Sequence, residues 1–137
     1  MKKLLLSLLA VITLSSCSLF SDSGTTCTSD FRSVTVNIVD AEGESVMLDE
    51  LRVYEKRFEV ELDVCGSEGC APGSFKGNPE SGSYVIIDDQ FAGKINRVLD
   101  IVVEGKSGEL SFQEEFTIED DGCHVSKRSG PETITAR

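Results

Sequence analysis

The chain of 137 residues contains one histidine and five cysteines, so the reactive chemistry it offers is narrow. His124 is the imidazole around which any Ser-His-Asp or Cys-His apparatus would be built, and its neighbour Cys123 is better used in a disulfide. Cys65, Cys70, Cys123 and His124 together make a soft-ligand set, and the Cys-x4-Cys spacing is close to that of a zinc knuckle. Carboxylates come in runs, Asp88-Asp89, Glu114-Glu115 and Glu119-Asp120-Asp121, which suit calcium or glycoside hydrolysis where two acids converge. With no Asp-x-Asp-x-Asp-Gly loop among them, these acids read as solvated turns. No glycine motif follows a strand and opens a helix to cradle phosphate. These readings give no residue a catalytic or metal-binding assignment and imply no cofactor.

Segment 65–82 differs in kind. It holds Gly66, Gly69, Gly73, Gly77 and Gly82 with Pro72 and Pro79, a composition too irregular for a continuous strand or helix. Binding sites are commonly carried on long loops over a rigid frame. Glu68, Phe75 and Lys76 are therefore the candidate binding-loop residues, with Phe75 and Lys76 expected to be its exposed contacts.

The elements that must position these residues begin at the N-terminus. Met1-Lys2-Lys3 precedes an apolar run from Leu4 to Leu14, shorter than the roughly 20 residues of a membrane span and patterned as a secretory signal. Leu14-Ser15-Ser16-Cys17 resembles the lipobox of bacterial lipoproteins. That resemblance implies cleavage after Ser16 and a diacylglyceryl thioether on Cys17, with residues 1–16 as signal peptide and 17–26 as a flexible tether rich in Ser, Asp, Gly and Thr. One acyl chain holds a protein marginally, at about 0.8 kcal/mol per buried methylene, whereas two or three on one residue hold it stably. Membrane lipid is thus the implied partner through Cys17. Ser18 in place of an aspartate implies the outer membrane where the host has one, with the periplasmic or surface face left open.

Cleavage would also remove Lys2 and Lys3 from a chain of 13 basic and 24 acidic side chains whose formal charge is already −11. The basic footprint that nucleic acid requires is missing, and the negative charge is expected to hold the folded body off anionic headgroups. In an oxidising compartment the other cysteines, Cys27, Cys65, Cys70 and Cys123, default to disulfides. Three connectivities exist. Cys65 and Cys70 share one loop while Cys27 and Cys123 lie near the two ends of the domain, which favours Cys27–Cys123 and Cys65–Cys70.

From residue 27 onward the hydrophobic period is two. Val34, Val36 and Ile38 alternate with Thr35, Asn37 and Val39 and stop at the Asp40-Ala41-Glu42-Gly43 turn signal. Leu51 and Val53 open a second run; Phe58, Val60, Leu62 and Val64 then alternate strictly with Glu59, Glu61 and Asp63, which predicts the clearest strand of the chain. Strand composition returns at 84–87 and, after one helical turn spaced by Phe91 and Ile95, at 98–103. Gly105-Lys106-Ser107-Gly108 reads as a hairpin connection to Leu110, Phe112, Phe116 and Ile118, whose shared parity Glu114 interrupts as a bulge or an inward charge. Val125 and Ile134 mark the last two strands. About seven or eight short, mainly antiparallel strands without a long amphipathic helix predict an all-β fold, a single β-sandwich over 27–137.

Cys27-Thr28, the Val34-Thr35-Val36 strand entering Asp40-Ala41-Glu42-Gly43, Gly82-Ser83-Tyr84 before a core strand, and Cys123-His124-Val125 recur in an order that resembles the carboxypeptidase regulatory-like domains, which have a transthyretin-type (prealbumin-like) β-sandwich. The resemblance spans most of 27–137. It implies a non-catalytic accessory or structural module that contacts envelope protein or glycan through its loops. Two other classes stay open: a metal-handling lipoprotein using Cys65, Cys70, Cys123 and His124, and an enzyme or enzyme inhibitor with a site assembled from the acidic turns.

Overall fold

The structure is a computed structural model that describes residues 26–65, 75–95 and 97–137. The expectations for the leader, Cys17, Glu68 and Cys70 fall outside these residues. Within them, β1 (Ser33–Val39), β3 (Gly77–Asn78), β4 (Ser83–Asp88) and β8 (Thr133–Thr135) form one sheet in the order β3-β4-β1-β8. The second sheet, ordered β2-β5-β6-β7, consists of β2 (Glu50–Glu55), β5 (Val98–Ser107), β6 (Leu110–Asp120) and β7 (Val125–Ser129). Pairing is antiparallel throughout except between β1 and β8, which run parallel. The fold is all-β, two sheets of four strands packed as a sandwich.

Alternation places the core between the sheets. Val34, Val36 and Ile38 of β1 face Leu51 and Val53 of β2, Ile101 and Val103 of β5, and Phe116 and Ile118 of β6 in one buried cluster. Tyr84 on β4 is fully buried, and its hydroxyl is spent on the backbone that joins the sheets: it donates to Val46 O at 3.0 Å and accepts from Leu48 N at 2.8 Å. Burial pushes the Tyr84 phenol above its usual value, opposed by the hydrogen bond from Leu48. Gly82, two residues earlier, has φ 71°, and a Cβ there would lie 2.6 Å from Ile38 O, so Gly82-Ser83-Tyr84 is one device that turns the chain tightly and then pins a loop.

The alternating 58–64 run is not the strand its pattern predicts. The Glu55 carboxylate accepts the N–H groups of Arg57 (3.0 Å) and Phe58 (2.6 Å), which reverses the chain just past β2, and Glu59 takes a φ of 54°. The returning segment touches β2 through Glu55 N to Val60 O and Leu62 N to Val53 O, both 2.8 Å. Phe58 and Val60 consequently project into solvent, while Val64 is buried. A side chain that caps its own turn competes with the ladder, and periodicity carries no sign of that competition.

Three smaller expectations also change. The β5–β6 reversal is the two-residue loop Gly108-Glu109, with Ser107 paired to Leu110 and Gly108 at φ 56°, the conformation that two-residue hairpin loops ask of glycine. Gly105 lies within β5 instead, opposite Phe112, because a Cβ there would come 2.4 Å from the Phe112 ring. Glu114 pairs in register with the buried Val103, so it is not a bulge, and although that pairing sets it on the core-facing side of β6 its side chain is exposed; β7 pairs with β6 only from Thr117 to Asp120, and further along the same strand Ser111 exchanges backbone hydrogen bonds with Arg137 at 2.9 and 3.0 Å. The 65–82 loop contains, in its described part, the short strand β3 and a 3-10 turn at Pro79–Ser81.

Gly130 offers a sharp packing test. It has φ 122°, and an added Cβ would sit 2.1 Å from Cδ1 of the buried Phe116. Gly130→Ala is expected to destabilise the fold by on the order of 2–3 kcal/mol through backbone strain and overpacking, measured as a drop in the urea midpoint with an unchanged slope.

Candidate functional site

The polar groups that the sequence scatters meet at one end of the sandwich. There β4 finishes at Asp88 and the chain enters a 3-10 turn, Asp89–Phe91, whose first free N–H, that of Gln90, is accepted by the Asp88 carboxylate at 3.0 Å. This places the Asp89 side chain, only 7% exposed, between the starts of β1 and β7. Its Oδ1 accepts Val125 N at 2.8 Å and its Oδ2 accepts Arg32 N at 2.6 Å. Oδ2 also lies 2.7 Å from Nδ1 of His124, whose Nε2 is 2.8 Å from the Thr28 hydroxyl. Hydroxyl, imidazole and carboxylate thus stand in a line. Beside it, Cys27 is bonded to Cys123, as expected, closing a sequence separation of 96 residues.

Electrostatics follow from these partners. Burial alone would raise the Asp89 carboxyl, but hydrogen bonds from His124, Val125 N and Arg32 N, with the charge of His124, bring it below the ordinary carboxylate value. Asp121 is lowered as well, first by the N–H of Cys123 and then by that of His124, both accepted by its Oδ1 in an Asx-type turn. Asp120 is buried; its two oxygens accept Gly93 N (2.8 Å) and Gly122 N (2.7 Å).

The acidic runs are therefore solvated only in part: Glu119 and Asp121 are exposed, as composition suggests, but Asp120 between them is not. Asp88, Asp89 and Asp120 are buried turn and loop fasteners, because a short carboxylate satisfies backbone N–H groups that no ladder reaches. Glu114 and Glu115 are exposed, Glu115 pairing with Lys56 at 2.5 Å.

The binding-loop expectation also needs correction. Phe75 is in the core, edge-on to Tyr84 with ring centroids 5.8 Å apart. Lys76 is partly buried, its ammonium 2.9 Å from Oδ2 of the buried Asp88. An apolar ring and the counter-ion of a buried acid are structural attachments of the loop rather than contacts offered to a partner. Cys65 is disulfide-bonded; its expected partner Cys70 lies outside the described residues. Cys123 in a disulfide and His124 engaged on both nitrogens are not presented as metal ligands, and among the described residues no three His, Cys, Asp or Glu side chains are grouped to hold a metal ion.

A second polar surface lies on the outer face of the β2-β5-β6-β7 sheet. Arg52 is 3.6 Å from both Glu61 and Glu104, and the Tyr54 hydroxyl donates to Glu104 at 2.7 Å. These charges satisfy one another on an open face.

Asp89 and Thr28 lie 35 and 96 residues from His124 in the sequence, so no local motif announces the three together. The one signal in the sequence was that His124 adjoins a cysteine whose disulfide would draw the N-terminal segment toward it. Comparisons with protein-family models, with curated proteins and with solved structures find no match.

Proposed function

We propose that this chain is an exported lipoprotein, acylated on Cys17, whose β-sandwich is a non-catalytic binding or structural module of the cell envelope, displayed on the outer membrane where there is one and of the transthyretin-like kind that the carboxypeptidase regulatory-like motifs suggest. The supporting observation is how the segment next to the tether is fastened. Cys27 is covalently tied to Cys123, Thr28 meets His124, and Arg32 N meets Asp89. A disulfide of this kind belongs to an oxidising compartment. Everything between the tether and β1 is thereby rooted in the β6–β7 connection, the construction a domain hung from its N-terminal end calls for. Metabolic labelling with a radioactive fatty acid tests it: the label enters the wild-type protein and not Cys17→Ser, and only detergent, not salt or alkali, releases the wild type from membranes. Absence of label, with an intact Cys17 thiol by mass spectrometry, would overturn the reading.

A second reading has one observation behind it. The Thr28–His124–Asp89 line has the order and spacing in which a hydroxyl gives its proton to an imidazole oriented by a carboxylate. If Thr28 is a nucleophile, a fluorophosphonate probe labels it, and His124→Ala abolishes the labelling.

A further inference from the structure

The strand pairings put a distinctive surface at the end where the tether joins. β1, β5 and β7 start at this end and β2, β4 and β6 finish there, since Ser33 pairs with Asp88, Glu55 with Ile101, Val98 with Glu119 and Asp120 with Val125. Asp89 and the Cys27–Cys123 bridge join the two sheets at the same place. Of the large apolar side chains exposed among the described residues, Phe31 (67%), Phe58 (69%), Val60 (57%) and Val98 (44%) all lie at this end, and Met47 lies at the other. Phe58, Val98 and Leu99 line one open cleft together with two bases, Lys56 and Arg57, and two acids, Glu55 and Asp100, and the Arg57 guanidinium sits 5.0 Å from the centre of the Phe58 ring.

We infer that this end is a membrane-contact surface: Phe58, Val60, Val98 and Phe31 enter the headgroup–acyl boundary of the bilayer that holds the chain, with Arg57 reaching phosphates while Lys56 stays paired with Glu115. The inference rests on the lipoprotein reading for the nearness of that bilayer. Ten residues from Cys17 to Cys27 reach at most about 35 Å when fully extended, and Cys27 is fixed at the end that carries the patch. An aromatic ring with an arginine over it is apolar inside and charged at its tip, which suits an interface.

Charge decides between occupants. A net charge of −11 opposes a second copy of the same acidic body on this patch. The exposed acids Asp30, Glu59, Asp100, Glu119 and Asp121 lie at this end with Arg32, Lys56, Arg57, Lys94 and Arg97, so its local charge is mixed. Contact is led by apolar insertion and depends weakly on anionic lipid. This amends the expectation that charge alone keeps the body clear of the membrane.

The chain has no tryptophan, so Phe58→Trp and Met47→Trp are clean single reporters at opposite ends. Each full-length protein is placed in phosphatidylcholine vesicles with and without acyl-chain-brominated phosphatidylcholine, and mass spectrometry records acylation of Cys17. The expected result is a blue-shifted Phe58→Trp emission that bromolipid quenches at least twofold, with the Met47→Trp signal solvent-like and unquenched. Acylated protein with an unquenched, solvent-like Phe58→Trp overturns the contact surface and leaves the anchor standing. A blue shift without bromolipid quenching means that protein covers the patch, and also overturns it. Unmodified Cys17 with a quenched Phe58→Trp on added vesicles keeps the surface and removes the lipoprotein reading.

Discussion

Cys27→Ser with Cys123→Ser is expected to lower the unfolding free energy by about 4–5 kcal/mol, since a disulfide closing a loop of about 100 residues removes that much chain entropy from the unfolded state. The loop here spans 96 residues, nearly the entire sandwich. The figure is an upper one if the unfolded chain keeps residual structure. Urea titration under oxidising conditions measures it, with the double-serine protein showing a lower midpoint and a steeper slope because its unfolded state expands further. A loss below about 1 kcal/mol would mean that the hydrogen bonds around Asp89 hold the N-terminal segment without the bridge.

Asp89→Ala is expected to cost about 2–5 kcal/mol, since it takes away the partner of Val125 N and of His124 Nδ1 and each buried polar group left unsatisfied costs roughly 1–3 kcal/mol. Arg32 N, which is exposed, turns to water instead. Asp89→Asn should lose less, because it keeps the volume and its amide oxygen still accepts from one backbone N–H, although its NH2 then meets another backbone donor, Arg32 N or Val125 N. The acid limb separates this effect from lost packing. The Asp89 carboxyl is lowered in the fold from 3.8, so its contribution is complete above that unfolded-state value and is lost as pH falls through the depressed folded one. Wild-type stability should therefore drop through this window while Asp89→Ala changes little there, apart from a smaller loss at Asp121 in the same direction. Equal acid limbs in the two proteins would remove Asp89 as the source.

The residues show which parts of this structure local pattern can express. β1 was legible because it has an apolar face of period two and ends at a turn, β4 because its apolar run stops at Asp88-Asp89, and β7 and β8 only through single apolar residues, Val125 and Ile134; the Cys27–Cys123 bridge followed from the positions of the cysteines. The 58–64 segment has the best alternation in the chain and is not a regular strand: its fate turns on Glu55 capping a reversal, an event that hydropathy does not record. Phe75 was misplaced for the converse reason. A glycine-rich neighbourhood suggests exposure, yet one ring is drawn to Tyr84 and one lysine to Asp88. The Thr28–His124–Asp89 line could not be read at all, because its members approach only after two sheets and a disulfide have brought three distant segments to one corner.

The parallel pairing of β8 with β1 has a consequence for how the chain is completed. A chain that emerges N-terminus first presents β1 early, with one edge covered by β4 and the other bare until β8, the last strand of the described residues, has also emerged. Bare strand edges recruit other chains, and pairing over such a separation in sequence is slow. The interval between arrival and completion is thus the period of greatest exposure to aggregation, and a holdase that masks strand edges would raise the yield of this protein more than one that accelerates local folding.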